Sequence, residues 1–398
     1  MLKELKANAK SLIIPLSLCG LALFLSGGVS AEDGVTQSSI TIGQSCALKG
    51  PAQALGQGMR DGALAYFRHI NAEGGIKGKK IKLITLNDGY EPTACVANTR
   101  QLLEKDKVFL LFGYVGTPAS KAVFDHIKKS KVPYFAPLSG AEFLRNPLTP
   151  GIFNIRASFY QETEAMIKIL LMNNLTRIAV FYQNDSYGKA GLKGVQIALK
   201  ERGRQITSKA SYERNTLDVE NAVSEIAISN PDAVIMIGAY KACAMFVRLT
   251  RDGTRSRPVF LNVSLVGSEP LATTLSNKGL GVVITQVVPF PFDKRKPVVD
   301  QYHQMTREYM KGATISFTGM EGFIAAKTLC SILEKMSHFT HAEFVRTAES
   351  ISESLGGFNV QFSPKSRQGS ELVHFTQIGP GGSISNIDNL SQLYKYWD

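Results

Sequence analysis

The side chains able to do chemistry fall where predicted strands give way to loops. Thr117-Pro118-Ala119-Ser120 follows the run 113–116 (GYVG) and opens a predicted helix. A glycine-rich loop feeding a helix presents free backbone N–H groups, and a hydroxyl there adds a donor, so this spacing suits a carboxylate or another anion. Ser139-Gly140-Ala141, at the next strand end, adds donors. Tyr187 and Tyr240 stand at two later strand ends, where a flat ring closes over a ligand. Reaction chemistry is absent by the same reading. There is no G-x-S-x-G elbow, and the six His are scattered, with His338, His341 and His374 near the end. No Cys/His spacing suits zinc. Gly56-Gln57-Gly58 with Gly62 reads G-x-G-x-x-x-G and lies about a dozen residues past the first strand, where a dinucleotide fingerprint needs a tight turn. A binding protein is expected, with no catalytic residue, no cofactor and no metal.

The elements that must position these loops alternate. Strands are predicted at 39–43, 81–86, 108–112 and 134–136, with helices at 58–71, 93–105 and 120–129 between them. After a strand at 152–155 the grammar restarts, with helices at 161–173, 188–202, 218–229 and 240–251 and strands at 177–182, 205–210, 233–237, 259–261 and 282–287. Continuous apolar strands separated by helices predict parallel sheets covered on both faces. The tail departs from this rhythm: helices at 297–311, 318–336 and 341–353 precede strands at 358–362 and 371–377. Two α/β lobes follow, with a tail that returns to both.

Composition limits the rest. The chain has 398 residues, 44% hydrophobic and 20% charged, and carries a formal +12. That length buries two cores without disulfide or metal staples. The basic excess has no nucleic-acid footprint: the densest runs, Lys77–Lys82 and Lys294–Lys296, are short and unaccompanied by aromatic-basic motifs. Residues 1–31 hold Lys3, Lys6 and Lys10 against Glu4, an apolar stretch over 11–25 and the small residues Val29 and Ala31. This is the pattern of a secretory signal cleaved after Ala31, which places the mature protein in the periplasm. Cys46, Cys95, Cys243 and Cys330 remain, an even number that an oxidising compartment permits to pair, with connectivity open.

The ordered series ITIGQSCALKGPAQALGQGMRDGALAYFRHINAEGGIKGKKIKL, FGYVGTPAS, YFAPLSGAEFLR, AVFYQNDSYGKAG, NPDAVIMIGAYKACAMFVR and FLNVSLVG runs through nearly all of the mature chain. It resembles the extracytoplasmic solute-binding proteins of the leucine/isoleucine/valine-binding type, which feed ABC permeases. The resemblance implies the type I periplasmic binding fold: an α/β protein of two Rossmann-like lobes with parallel sheets, joined by three crossover hinge strands. The lobes would comprise residues 32–156 with 290–360, and 157–289 with 361–398. It implies hinge closure on a small-molecule solute, delivery to the membrane subunits of an ABC permease, a monomer, and no nucleic-acid partner; a ligand sensor for a signalling partner is the alternative.

The resemblance also assigns roles. The first-lobe hydroxyl that holds a ligand carboxylate falls on Thr117, and the following loop falls on Ser139, Gly140 and Ala141, the last in place of a frequent Thr. The opening-loop aromatic falls on Leu55, and the second-lobe tyrosines on Tyr187 and Tyr240. Amino-acid binders of this type place a carboxylate for the ammonium near Ser264; here the next carboxylate is Glu269, five residues on. With Lys49 and Lys241 flanking the inferred cleft, the ligand class widens from amino acids to small carboxylates and amides.

Overall fold

The computed structural model describes residues 32–395, so the expected signal over 1–31 lies outside the described residues. In chain order the strands are β1 (Ser39–Cys46), β2 (Lys80–Asn87), β3 (Leu110–Phe112), β4 (Tyr134–Phe135), β5 (Ile152–Phe153), β6 (Ile178–Gln183), β7 (Ser208–Tyr212), β8 (Ala233–Ile237), β9 (Val259–Asn262), β10 (Val283–Gln286), β11 (Ser352–Ser354), β12 (Asn359–Gln361), β13 (His374–Ile378) and β14 (Ile384–Ile387). The helices are α1 (Gln53–Ala72), α2 (Pro92–Arg100), α3 (Thr117–Ser130), α4 (Phe159–Met172), α5 (Ser186–Lys200), α6 (Glu220–Ile228), α7 (Tyr240–Gly253), α8 (Ser268–Leu275), α9 (Pro297–Tyr309), α10 (Phe317–Lys335) and α11 (His341–Ala348).

The first sheet runs β2-β1-β3-β4-β5 and is parallel throughout. The second runs β14-β13-β10-β9-β8-β6-β7, parallel from β10 to β7 and antiparallel at β13 and β14. The strands β3, β4, β5 and β8 are buried along their whole length, as strands covered by helices on both faces must be. Strand order reverses between β1 and β3 in one sheet and between β6 and β8 in the other. Ligand crevices in open α/β sheets lie beyond the strand ends at such reversals. The two reversals select the loops that carry Thr117, and Tyr187 with Tyr240.

The chain passes between the lobes after β5, after β10 and after β12. Two passages are bound to each other: the Asn154 N–H donates to Arg367 O at 2.8 Å, and the Gly369 N–H donates to Asn154 O at 2.7 Å. The first passage ends in a capping box, with the Ser158 hydroxyl accepting the Gln161 N–H and the Gln161 side chain accepting the Ser158 N–H.

The glycine spacing at 56–62 has a packing cause. These glycines lie inside α1, which begins at Gln53, earlier than the sequence pattern suggests. A Cβ on Gly56 would come within 2.0 Å of Ala47 O, and one on Gly62 within 1.8 Å of Gly319 O on α10. Gly322 meets Met59 O at 2.2 Å in the same way. Both helix backbones approach too closely for any side chain, and no phosphate turn is involved. Other departures are local. The predicted helix 93–105 closes in a π turn over Gln101–Lys105, the predicted helix 341–353 stops at Ala348 and yields to β11, and α8 and β14 are additional elements. The four cysteines are free, buried thiols, so the pairing permitted by their even number is not made. Replacing Gly62 with Ala should cost about 1–3 kcal/mol or more, read as a lower denaturant midpoint. Gly253→Ala, with nothing within 4 Å of its Cβ, serves as the control and should leave the midpoint unchanged or slightly raised.

Candidate ligand-binding site between the lobes

The first-lobe cradle is built by glycines and one half-buried arginine. Gly116 takes φ +100° and precedes the first residue of α3, whose second residue, Pro118, has no N–H and whose Ser120 N–H donates to Gly116 O at 3.0 Å. Thr117 Oγ1 and Ser139 Oγ are 2.7 Å apart, and the Ala141 N–H donates to Ser139 Oγ at 3.3 Å. Both hydroxyls are fully buried. Arg145 anchors the loop from behind, donating to Ser139 O at 3.3 Å, Ala141 O at 3.0 Å and Arg156 O at 3.0 Å. Burial lowers its pKa to about 10, and it stays charged. Gly140 is pressed on α4: its carbonyl accepts the Phe159 N–H at 2.7 Å, and a Cβ would meet the Phe159 ring at 2.5 Å.

The second lobe faces this cradle with aromatic rings. Tyr187 follows Asp185, whose side chain caps α5 by accepting the Tyr187 N–H at 2.9 Å. Its ring lies 5.4 Å from that of Phe159, the residue held by Gly140. Tyr240 opens α7, and burial raises its pKa. Gly267, at φ +87°, would place a Cβ 2.9 Å from Leu55 and 3.6 Å from the Tyr240 ring, so the opening-loop Leu55 and Tyr240 converge there. Lys49 and Lys241 are exposed; the Lys49 N–H donates to Asn87 Oδ1 at 3.3 Å.

Two features escaped the sequence pattern. Tyr90 holds a left-handed backbone (φ +66°), pinned by Asp88, which accepts the Tyr90 N–H at 2.8 Å and the Ser45 hydroxyl at 2.7 Å. Its ring lies on Gly116, where a Cβ would come within 2.3 Å. Beside it Glu91 binds Arg214 at 2.8 Å and Asn215 at 2.6 Å across the cleft. A left-handed non-glycine residue is the only local signal that could have marked Tyr90, and spacing does not reveal it.

The second feature is a buried charge cluster. Arg156 donates to Glu162 at 3.2 Å and to Glu321 on α10 at 3.5 Å, and also to Ser264 Oγ. The Glu162 carboxylate accepts the Ser264 N–H at 2.7 Å, the Ser264 hydroxyl at 3.1 Å and the Thr285 hydroxyl at 2.5 Å. Ser264 is therefore held by a carboxylate from α4. Glu269 does not reach back to it: its carboxylate accepts the Phe317 N–H at 2.8 Å, at the start of α10. Among the described residues, no group of three or more His, Cys, Asp or Glu could hold a metal ion, and no helix is long and apolar enough to cross a membrane.

A lobed α/β fold with a hydroxyl cradle opposite a pair of tyrosines is the architecture of a solute-binding protein. Residues 39–383 match the family described as periplasmic binding protein, and the chain belongs to that family. It is 26% identical to Leu/Ile/Val-binding protein homolog 7 of Brucella suis over 245 residues, 58% of this chain and 59% of that protein. The chain thus spans a little over half the length of the Brucella relatives it matches. The leucine-specific-binding protein of Salmonella typhimurium is 20% identical over 344 residues, 86% of this chain and 89% of that one. Among solved structures, a possible leucine/isoleucine/valine-binding protein from Rhodopirellula baltica superposes with a TM-score of 0.85 at 31% identity, covering 92% of this chain and all of that one.

Two outcomes follow for stability. Arg156→Met should cost about 3–5 kcal/mol in denaturant unfolding, because Glu162 and Glu321 are left as buried carboxylates without their cation. Burial raises Glu269 from 4.5 to about 7. The native state therefore binds this proton more tightly than the unfolded chain. Its contribution to stability is full below about pH 4.5 and is lost as pH rises through about 7. Between pH 5 and about 8, wild-type thermal stability should fall further than that of Glu269→Gln.

Proposed function

We propose that this periplasmic binding protein captures a small solute bearing a carboxylate or amide between its lobes and delivers it to the membrane subunits of an ABC importer. It would do so as a monomer that closes about its three passages. The observation that carries the reading is the Thr117–Ser139 hydroxyl pair, 2.7 Å apart at the N-terminal end of α3 and buried beneath the cleft. Its donors and the helix dipole suit one negative oxygen pair. Thr117, Ser139, Gly140 and Ala141 would hold that end of the solute, and Tyr187 and Tyr240 would cover its body.

The mechanism needs only differential affinity. A solute that touches both lobes stabilises the closed form over the open one, and that difference drives closure. The resemblance to leucine/isoleucine/valine-binding proteins supports an amino acid as one candidate. The saturated Glu162 carboxylate supports acids and amides as well, because the surroundings of Ser264 offer an ammonium no spare acceptor.

Thermal shift against a panel of amino acids, short carboxylates and amides tests this. A true solute at 100 times its Kd should add about 2.7 kcal/mol to stability. Thr117→Ala should weaken binding by about 1.5–3 kcal/mol, the loss of one hydrogen bond to a charged group, with the fold retained. Tyr240→Ala should also weaken it. Unchanged affinity in both variants overturns the cleft assignment, and turnover of the bound solute would replace transport with catalysis.

A further inference from the structure

Arg145 lies between the solute cradle and the hinge, and its guanidinium makes five hydrogen bonds to three separate stretches of chain. Nη1 donates to Ser139 O at 3.3 Å and Ala141 O at 3.0 Å, both in the cradle loop. Nη2 donates to Arg156 O at 3.0 Å and, at its longest reach, to Ala157 O at 3.5 Å, in the first passage between the lobes. Nε donates to Gln368 Oε1 at 2.8 Å, in the third passage. The acceptors are four backbone carbonyls and one side-chain amide, with no carboxylate among them. A guanidinium that meets only neutral acceptors is not placed to balance a charge. Its planar fork of donors fixes where those acceptors stand relative to one another.

Gln368 carries the connection onward. Its Nε2 donates to Gln161 Oε1 at 2.7 Å and to Ser370 O at 3.1 Å. The same Gln161 oxygen accepts the Ser158 N–H at 2.8 Å, so it belongs to the capping box that starts α4. A continuous line of bonds therefore runs from the carbonyls of Ser139 and Ala141, through Arg145 and Gln368, to the first helix of the second lobe. Gln368 is 223 residues from Arg145, and its own bonds lie outside the cradle loop. We propose that Arg145 is a positioning residue that couples the solute cradle to the hinge, with Gln368 as its contact on the third passage. When the passages turn, the acceptors they carry move, and the cradle loop, held by the same fork, shifts or loosens with them. The loop then has its binding geometry in one hinge state only, which is the differential affinity that closure requires. The role of the Ser139–Ala141 loop as part of a cradle rests on the interlobe-solute reading.

Hydrogen exchange read by mass spectrometry on the full mature chain, without added solute, tests the coupling. Gln368→Leu removes the bonds of that side chain and should speed exchange across 138–146 about fivefold or more. Gln368→Glu keeps an acceptor for Arg145 Nε but turns its second oxygen on Gln161 Oε1 and Ser370 O. It should return 138–146 to within about twofold of wild type and leave 158–162 faster. A side chain that merely stabilised the hinge would show no such recovery. Arg145→Lys, with its donors on one atom, should match Gln368→Leu or exceed it. Strand 233–237 of the second lobe should exchange as in wild type in all three. Unchanged exchange over 138–146 in Gln368→Leu, an equal rise over 233–237, or no recovery in Gln368→Glu overturns the proposal. Butyrate, titrated by calorimetry as a probe of the acid end, should bind Gln368→Leu at least about threefold more weakly than Gln368→Glu. Equal butyrate affinity in these two variants, with binding lost in Thr117→Ala, overturns the coupling alone. No butyrate binding to wild type, with the expected exchange pattern, counts against the carboxylate reading and leaves the coupling standing.

Discussion

Where the chain leaves the first sheet for the second, Arg156 buries its guanidinium between carboxylates from two different helices, Glu162 of α4 and Glu321 of α10. Taking three charges out of water is expensive, and the attraction between them does little more than repay it. The cluster therefore adds little net stability but allows little freedom, since displacing any member strands a buried charge. Everything attached to it inherits that constraint. Glu162 fixes Ser264 and Thr285 of the second lobe. Arg145, bonded to the carbonyl of Arg156, fixes the Ser139–Ala141 loop of the first. The cradle and the loop after β9 are thus referred to one point on the hinge.

Farther from the hinge the links between lobes are of another kind. Arg214 and Glu91 are partly exposed, and pairs of that type contribute about 0–1 kcal/mol. The Glu269–Phe317 bond is a single hydrogen bond to a backbone N–H. A hinge with a rigid axis and weak edge contacts suits a protein whose closure must be decided by a ligand. Strong edge contacts would close the cleft without one, and a loose axis would spend binding energy on ordering the lobes.

Much of the fold was legible because parallel α/β units announce themselves. Buried strands such as 233–237 have no polar residue to obscure them, and a helical run follows each of them in the sequence pattern. The loops of Thr117, Ser139, Tyr187 and Tyr240 were found by the same logic, since they are strand ends. Tyr90 was missed because its importance lies in a left-handed backbone and in its contact with Gly116, neither of which has a period. Arg156, Glu162 and Glu321 were missed because they meet only in space: two lie six residues apart and the third is 165 residues from the first. The glycines of α1 were visible but ambiguous, since close helix packing and phosphate binding both require a residue without a side chain.

Ser264 shows how position and space diverge. Along the chain it marks a missing carboxylate, and a ligand without an ammonium follows. In space the charge is present, supplied by Glu162 from another helix. There it is saturated by the Ser264 N–H and hydroxyl, the Thr285 hydroxyl and Arg156. A carboxylate with four donors has no capacity left for an ammonium, so this place is closed to one for a reason the sequence does not contain. Glu269 is the opposite case. It stands near Ser264 in the chain but turns toward α10, where its carboxylate accepts the Phe317 N–H at 2.8 Å. What decides whether a carboxylate can receive a ligand is the acceptor capacity its own neighbours leave unused, and by that measure Glu162 has none to offer.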